Sequence, residues 1–184
     1  SCLPHEWSHE ERTEFSDLLG ITCYEEHKLT RDMPFAIRQG VRHLEWKNIH
    51  DNEIPLIEQW RRAGGKTFSL HMSAMDFDRT VTGLEKFRRM ATAAVHAGAD
   101  TITVHPPFAL HEIMYKDSPA FCAVADAMAE ALLPVVGNGI QILIENSHTG
   151  ADIPSNPSKF PFGCTPMDLF DWQDALNTRL GTGS

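Results

Sequence analysis

Three short strand-like runs in this 184-residue chain end in side chains that bind metal ions. Lys66-Thr-Phe-Ser-Leu-His71 and Thr101-Ile-Thr-Val-His105 each end in an imidazole, and the apolar run from Ile140 ends in the carboxylate of Glu145. In parallel sheets connected through helices, ligands bind at the carboxyl ends of the strands, so all three groups fall where chemistry is usually done. Neutral imidazole and carboxylate suit Zn, Mn or Fe, and His₂Glu with an open fourth position is a catalytic zinc set. A lone His after a strand is more often a hydrogen-bonded structural residue. Repetition at equivalent positions of successive units is what points to a metal site. Asn146 is placed to orient Glu145 from outside the coordination sphere. Glu45, near the end of Val41-Arg-His-Leu-Glu-Trp46, reads equally as a site residue and as a salt-bridged structural carboxylate, while His111 and His148 are further candidates whose default reading is a loop residue.

The elements that must position these groups alternate along the chain. Residues 1–18 are a polar, acidic arm, and residues 19–184 carry the fold. Leu19 to Tyr24 is a first strand. Asp32 caps a short helix through Arg38 with Pro34 in its first turn, and Gly40 ends it. After the strand that holds Glu45, a capping signal at Asp51 opens a helix through Arg62 with Ile54, Ile57 and Trp60 at helical spacing, closed by Gly64-Gly65. The strand ending at His71 precedes a capping box at Thr82 and Glu85 and a stripe of Leu84, Phe87, Ala91, Ala94 and Val95, with Lys86, Arg88 and Arg89 on the solvated face. The strand ending at His105 leads to a helix from Pro119 to Leu133 that Pro134 ends or kinks. Ile140 to Ile144 has the composition of a strand buried on both faces. The Pro-, Ser- and Gly-rich stretch 149–164 is of the kind that folds over a site. A final helix starts at Thr165-Pro166-Met167-Asp168 and runs out near Arg179.

Five strands alternating with helices, in units of roughly 30 residues, build either an open doubly wound sheet or a closed eightfold barrel. No GxGxxG or Walker loop follows any strand, which weakens the nucleotide-binding open sheet. A barrel normally needs around 250 residues, so the expected class is an α/β, (β/α)8 TIM-type barrel that is incomplete, with about five β/α units.

An apolar content of 42% and a charged content of 22% are ordinary for a globular chain. The formal net charge of -9 disfavours a protein that grips nucleic acid over a broad basic surface. No apolar run approaches the roughly 20 residues that span a bilayer, and no basic-then-apolar leader stands at the start, so the expectation is a cytoplasmic protein without a membrane partner. The four cysteines are widely spaced with no CxxC, which fits reduced thiols better than a zinc knuckle or a disulfide framework.

Ser69-Leu-His71, Ala97-Gly-Ala-Asp-Thr-Ile-Thr-Val-His105, Ile142-Leu-Ile-Glu-Asn146 and Thr165-Pro-Met-Asp-Leu-Phe170 together resemble the xylose isomerase-like barrels. That superfamily includes sugar and sugar-phosphate isomerases and epimerases and the endonuclease IV type of abasic-site nuclease, AP endonuclease family 2. The resemblance covers roughly residues 19–180 and implies a divalent-metal site at the carboxyl end of a (β/α)8 barrel. It makes Glu145 the fifth-strand metal ligand of both branches. It makes His71 and His105 the histidines that complete one zinc site in the nuclease branch. Two departures follow. Met72-Ser-Ala-Met75 stands where the nucleases have Ala-Pro-Tyr, and the chain stops before the sixth strand that would carry an Asp and a His. The leading expectation is a metal-dependent isomerase or epimerase acting on a small sugar or sugar phosphate, with Glu145 as ligand and acid/base. The alternatives are a zinc-dependent abasic-site phosphodiesterase, and an inactive barrel fragment that self-associates through open strand edges.

Overall fold

The computed structural model describes residues 20–23, 29–47, 49–72, 81–107, 109–146 and 162–182, together with Ser8 and Asp17. Five parallel strands, β1 (Gly20–Cys23), β2 (His43–Lys47), β3 (Thr67–His71), β4 (Thr101–Val104) and β5 (Gln141–Ile144), lie side by side in sequence order. Between and after them run α1 (Leu29–Arg38), α2 (Ile54–Arg62), α3 (Val81–His96), α4 (Pro119–Gly137) and α5 (Pro166–Leu180). Sequential strand order, with neighbouring helices packed on one another, is the layout of an incomplete (β/α)8 barrel.

Alternation along the strands decides which side chains meet the helices. Leu44 and Trp46, Phe68 and Leu70, and Ile102 and Val104 point to the helical layer and are buried there with Met33, Trp60, Phe87 and Met128. The residues between them, His43, Glu45 and Lys47 on β2, Ser69 and His71 on β3, and Thr101 and Thr103 on β4, therefore share the opposite, inner face. Continuing each strand by one residue carries His105 and Glu145 onto that face as well. Register locks this arrangement: Lys47 pairs with His71, His71 with Thr103, and Thr103 with Leu143. A slip of one residue would exchange the two faces.

Several elements differ from the sequence expectation. The helix α1 starts at Leu29, a turn before Asp32, because Leu29, Met33 and Ala36 form its buried stripe; Asp32 lies in its first turn, ion-paired with Arg31 at 2.6 Å, and Pro34 lies inside it. Asp51 opens a 3₁₀ turn ahead of α2, and Glu53 reaches back to accept the backbone N–H of His50 at 2.9 Å. The helix α4 passes through Pro134 to Gly137. The missing N–H of Pro134 deprives the carbonyl of Glu130, which lies on the exposed side of the helix where water can satisfy it, and the Pro134 carbonyl itself accepts from the Asn138 side chain at 2.8 Å. At 19 residues and mean hydropathy 1.6, α4 is also long and apolar enough to cross a membrane, contrary to the expectation that no run approaches that length. Its packing marks a core helix: it lies between α3 and α5, and its outer side carries Glu130 and Asp126, ion-paired with Arg88 and Arg179. The strand β5 is not buried on both faces. Among the described residues it is an edge of the sheet, and Gln141 and Leu143 are exposed beside a groove of about 560 Å³ that Ile142, Leu176 and Leu180 help to line.

Asp17, near the end of the expected N-terminal arm, is fastened to the fold. Its carboxylate pairs with Arg42 at 2.7 Å and Lys66 at 3.1 Å, and its carbonyl contacts the His43 ring at 2.5 Å. The Lys66 hydrogen bond, aided by Arg42, holds the Asp17 carboxyl below its ordinary value against the opposing effect of desolvation. The side chain of Thr82, most of the 149–164 stretch and His148 lie outside the described residues.

Candidate metal centre

The inner face delivers three of the predicted groups to one point. His71 is the last residue of β3, His105 follows β4, and Glu145 follows β5, where its N–H donates to the Val104 carbonyl at 2.9 Å. Nε2 of His71 lies 2.8 Å from Nε2 of His105 and 3.5 Å from Oε2 of Glu145, and Nε2 of His105 lies 4.0 Å from the same oxygen. Their ligand atoms all fall within 4.8 Å of one another, the one such group among the described residues.

These separations suit a cation. Tetrahedral ligands about 2.0–2.1 Å from zinc stand roughly 3.3 Å from each other, a value bracketed by the observed distances, so changes of about 0.5–0.7 Å in those separations would close the site. The 2.8 Å contact between two ring nitrogens leaves room for only one proton. If neither nitrogen carries that proton, two lone pairs face each other, and a cation relieves the clash. The histidine side chains are 9% and 12% exposed while Glu145 is 41% exposed, so the imidazoles form a dry floor and the carboxylate opens toward solvent. Burial, with the His71 charge adding to it, lowers the His105 pKa, against the pull of Glu145 and of backbone groups of Glu145 and Asn146. His105 is therefore the neutral imidazole that metal binding requires at neutral pH.

The other predicted residues divide. Glu45, on the inner face of β2, brings Oε1 to 3.4 Å from Nδ1 of His71, within hydrogen-bond reach. Asn146 bears on the site through its backbone, which favours the charged form of the His105 ring. His111 stands apart from the cluster: its Nε2 lies 3.0 Å from Oδ1 of Asp168, tying the loop after β4 to the start of α5. Asp168 is the residue whose importance the sequence understated. It is 5% exposed and accepts N–H groups from Gly163 and Thr165 as well as facing His111. Its signal was the Thr165-x-x-Asp168 spacing, a capping box in which Thr165 accepts the Asp168 N–H at 3.2 Å.

The sequence matches no protein-family model and none of the curated proteins. Solved structures match the fold. An L-ribulose 3-epimerase superposes with a TM-score of 0.59 at 11% identity, over 86% of this chain and 57% of that one. A xylose isomerase domain protein from Planctomyces limnophilus gives 0.54 at 10% identity, over 71% and 54%, and a D-allulose 3-epimerase from Methylomonas sp. gives 0.53 at 14%, over 86% and 58%. The chain thus has the fold of the xylose isomerase-like TIM barrels. It spans little more than half the length of each of these structures.

Proposed function

We propose that this chain carries the metal-binding part of a divalent-metal-dependent sugar or sugar-phosphate isomerase or epimerase. The observation that supports the reading is the convergence of His71, His105 and Glu145 on the inner face of an epimerase-like sheet. Zinc or manganese, when bound, would polarise the hydroxyl and carbonyl oxygens of the sugar and so acidify the hydrogen between them. The buried imidazoles of His71 and His105 would hold the cation as neutral donors. Glu145, the exposed member of the set, would present one oxygen to the cation and leave the other facing substrate, where a carboxylate can move a proton between carbons.

A second reading, a zinc-dependent phosphodiesterase acting on abasic DNA, is favoured by the two-histidine composition of the set. Two observations weigh against it. The net charge is -9, and Met72, which follows His71 where the nucleases have their DNA-entering loop, is fully buried with its N–H on the Thr103 carbonyl at 2.8 Å. The third reading, self-association, is supported by β5, an edge strand among the described residues, with Leu143 at 42% exposure.

The test is proton exchange. The full chain, loaded with zinc or manganese, is incubated with a panel of ketoses in D₂O and followed by proton NMR. Metal-dependent deuteration at a carbon next to a carbonyl, lost in Glu145→Gln, is the expected result. No exchange with any sugar, together with incision of a duplex bearing an abasic site, would overturn it in favour of the phosphodiesterase. Neither activity, with a particle mass of two or more chains, would favour the inactive assembly.

A further inference from the structure

His71 has two ring nitrogens with different surroundings. Nε2 faces His105 and Glu145, whereas Nδ1 faces Glu45 at 3.4 Å. The Glu45 side chain is a carboxylate, a hydrogen-bond acceptor placed on that nitrogen. Its register neighbours on the inner face, Thr22 on β1 and Ser69 on β3, are uncharged, and no lysine or arginine among the described residues pairs with it. The His71 side chain, 9% exposed, has little water to satisfy either nitrogen.

We propose that Glu45 is a positioning residue for the metal centre: its carboxylate accepts the Nδ1–H of His71 and so fixes the tautomer whose Nε2 lone pair is aimed between His105 and Glu145. The inference rests on the metal-site reading above and extends it to β2, a strand that supplies no ligand. Removing the acceptor releases the proton to either nitrogen, and whenever it sits on Nε2 the ligand position is blocked. A carboxylate behind the ring also makes the imidazole a better donor.

Two measurements on the full chain decide this. The first is the long-range proton–nitrogen spectrum of the metal-free protein labelled with ¹⁵N-histidine, with His71 assigned by comparison with His71→Asn. Protonated Nδ1 and bare Nε2 are expected in the wild type and in Glu45→Gln, whose amide oxygen still accepts, and a mixture of tautomers in Glu45→Ala. Protonated Nε2 in the wild type, or an unchanged pattern in Glu45→Ala, overturns the proposal. The second is zinc affinity by competition with a chelating dye. Glu45→Ala should bind roughly 10- to 100-fold more weakly, with Glu45→Gln recovering part of the loss. Equal affinity in Glu45→Ala and wild type overturns the proposal, whereas a wild type that binds no zinc sinks the metal-site reading and leaves the tautomer spectrum to judge Glu45. If Glu45→Ala fails to fold, the wild-type spectrum and Glu45→Gln decide the question.

Discussion

Replacing Gly65 by alanine should destabilise the protein far more than adding one methyl group at a turn normally does. An alanine Cβ there would stand 2.3, 2.4 and 2.6 Å from Cδ2, Cε2 and Cε3 of Trp60, where real Cβ contacts do not come under 3.0 Å. Reaching ordinary contact at 3.4 Å requires the ring to retreat by about 1 Å. It has nowhere to go: Trp60 is 1% exposed, its Nε1–H donates to the Val41 carbonyl at 2.7 Å, and its own carbonyl accepts from Gly65 at 3.0 Å. Overpacking costs about 1–3 kcal/mol, and stranding the indole N–H adds about 1–2 kcal/mol, so the expected loss is about 2–5 kcal/mol. With a urea m-value of roughly 1–3 kcal/mol/M, the unfolding midpoint should fall by on the order of 1 M or more. Gly137→Ala is the control, since nothing lies within 4 Å of a Cβ built at that helical position, and it should leave the midpoint unchanged or raise it slightly. The same turn starts β3, so Gly65→Ala should also weaken zinc binding through His71. A Gly65→Ala loss under about 0.5 kcal/mol, the scatter of neutral surface changes, would refute the reasoning.

Two further outcomes are expected. Asp168→Ala should cost about 2–4 kcal/mol in urea unfolding, because the Gly163 and Thr165 N–H groups and His111 lose their shared acceptor; Asp168→Asn should recover part of it, and a change within 0.5 kcal/mol would contradict the assignment. In metal-free protein, His105 titrates below the ordinary value of 6.5, so between the two values the unfolded chain binds the extra proton. The stability that neutral His105 contributes is present above pH 6.5 and is lost as pH falls through the folded value, so the urea midpoint should decline on acidification from neutral pH and decline less in His105→Gln. Equal declines would show that His105 is not the responsible group.

Much of this architecture was legible in the residues. Short apolar runs bounded by turn glycines gave the strands, and metal-binding residue types at the ends of three of them gave the candidate site, because a parallel sheet fixes both which face and which end a terminal side chain occupies. What failed did so for non-local reasons. The start of α1 depends on Leu29 meeting the core, and the local capping signal at Asp32 carries no information about that contact. The continuation of α4 past Pro134 depends on which carbonyls are exposed to solvent. The exposure of β5 depends on what stands beside it, since Ile142 and Ile144 would read the same in a central strand as on an edge. Glu45 could not be decided from sequence because its two readings differ only in its partner, and that partner is a histidine 26 residues away.

The central claim is that His71, His105 and Glu145 hold one divalent cation together. Isothermal titration of zinc into the chelator-treated full chain tests it most directly. The account predicts one tight equivalent, weakened at least tenfold in each of His71→Ala, His105→Ala and Glu145→Ala while circular dichroism shows all three still folded. Absence of binding in the wild type, or binding that survives all three substitutions unchanged, would contradict it.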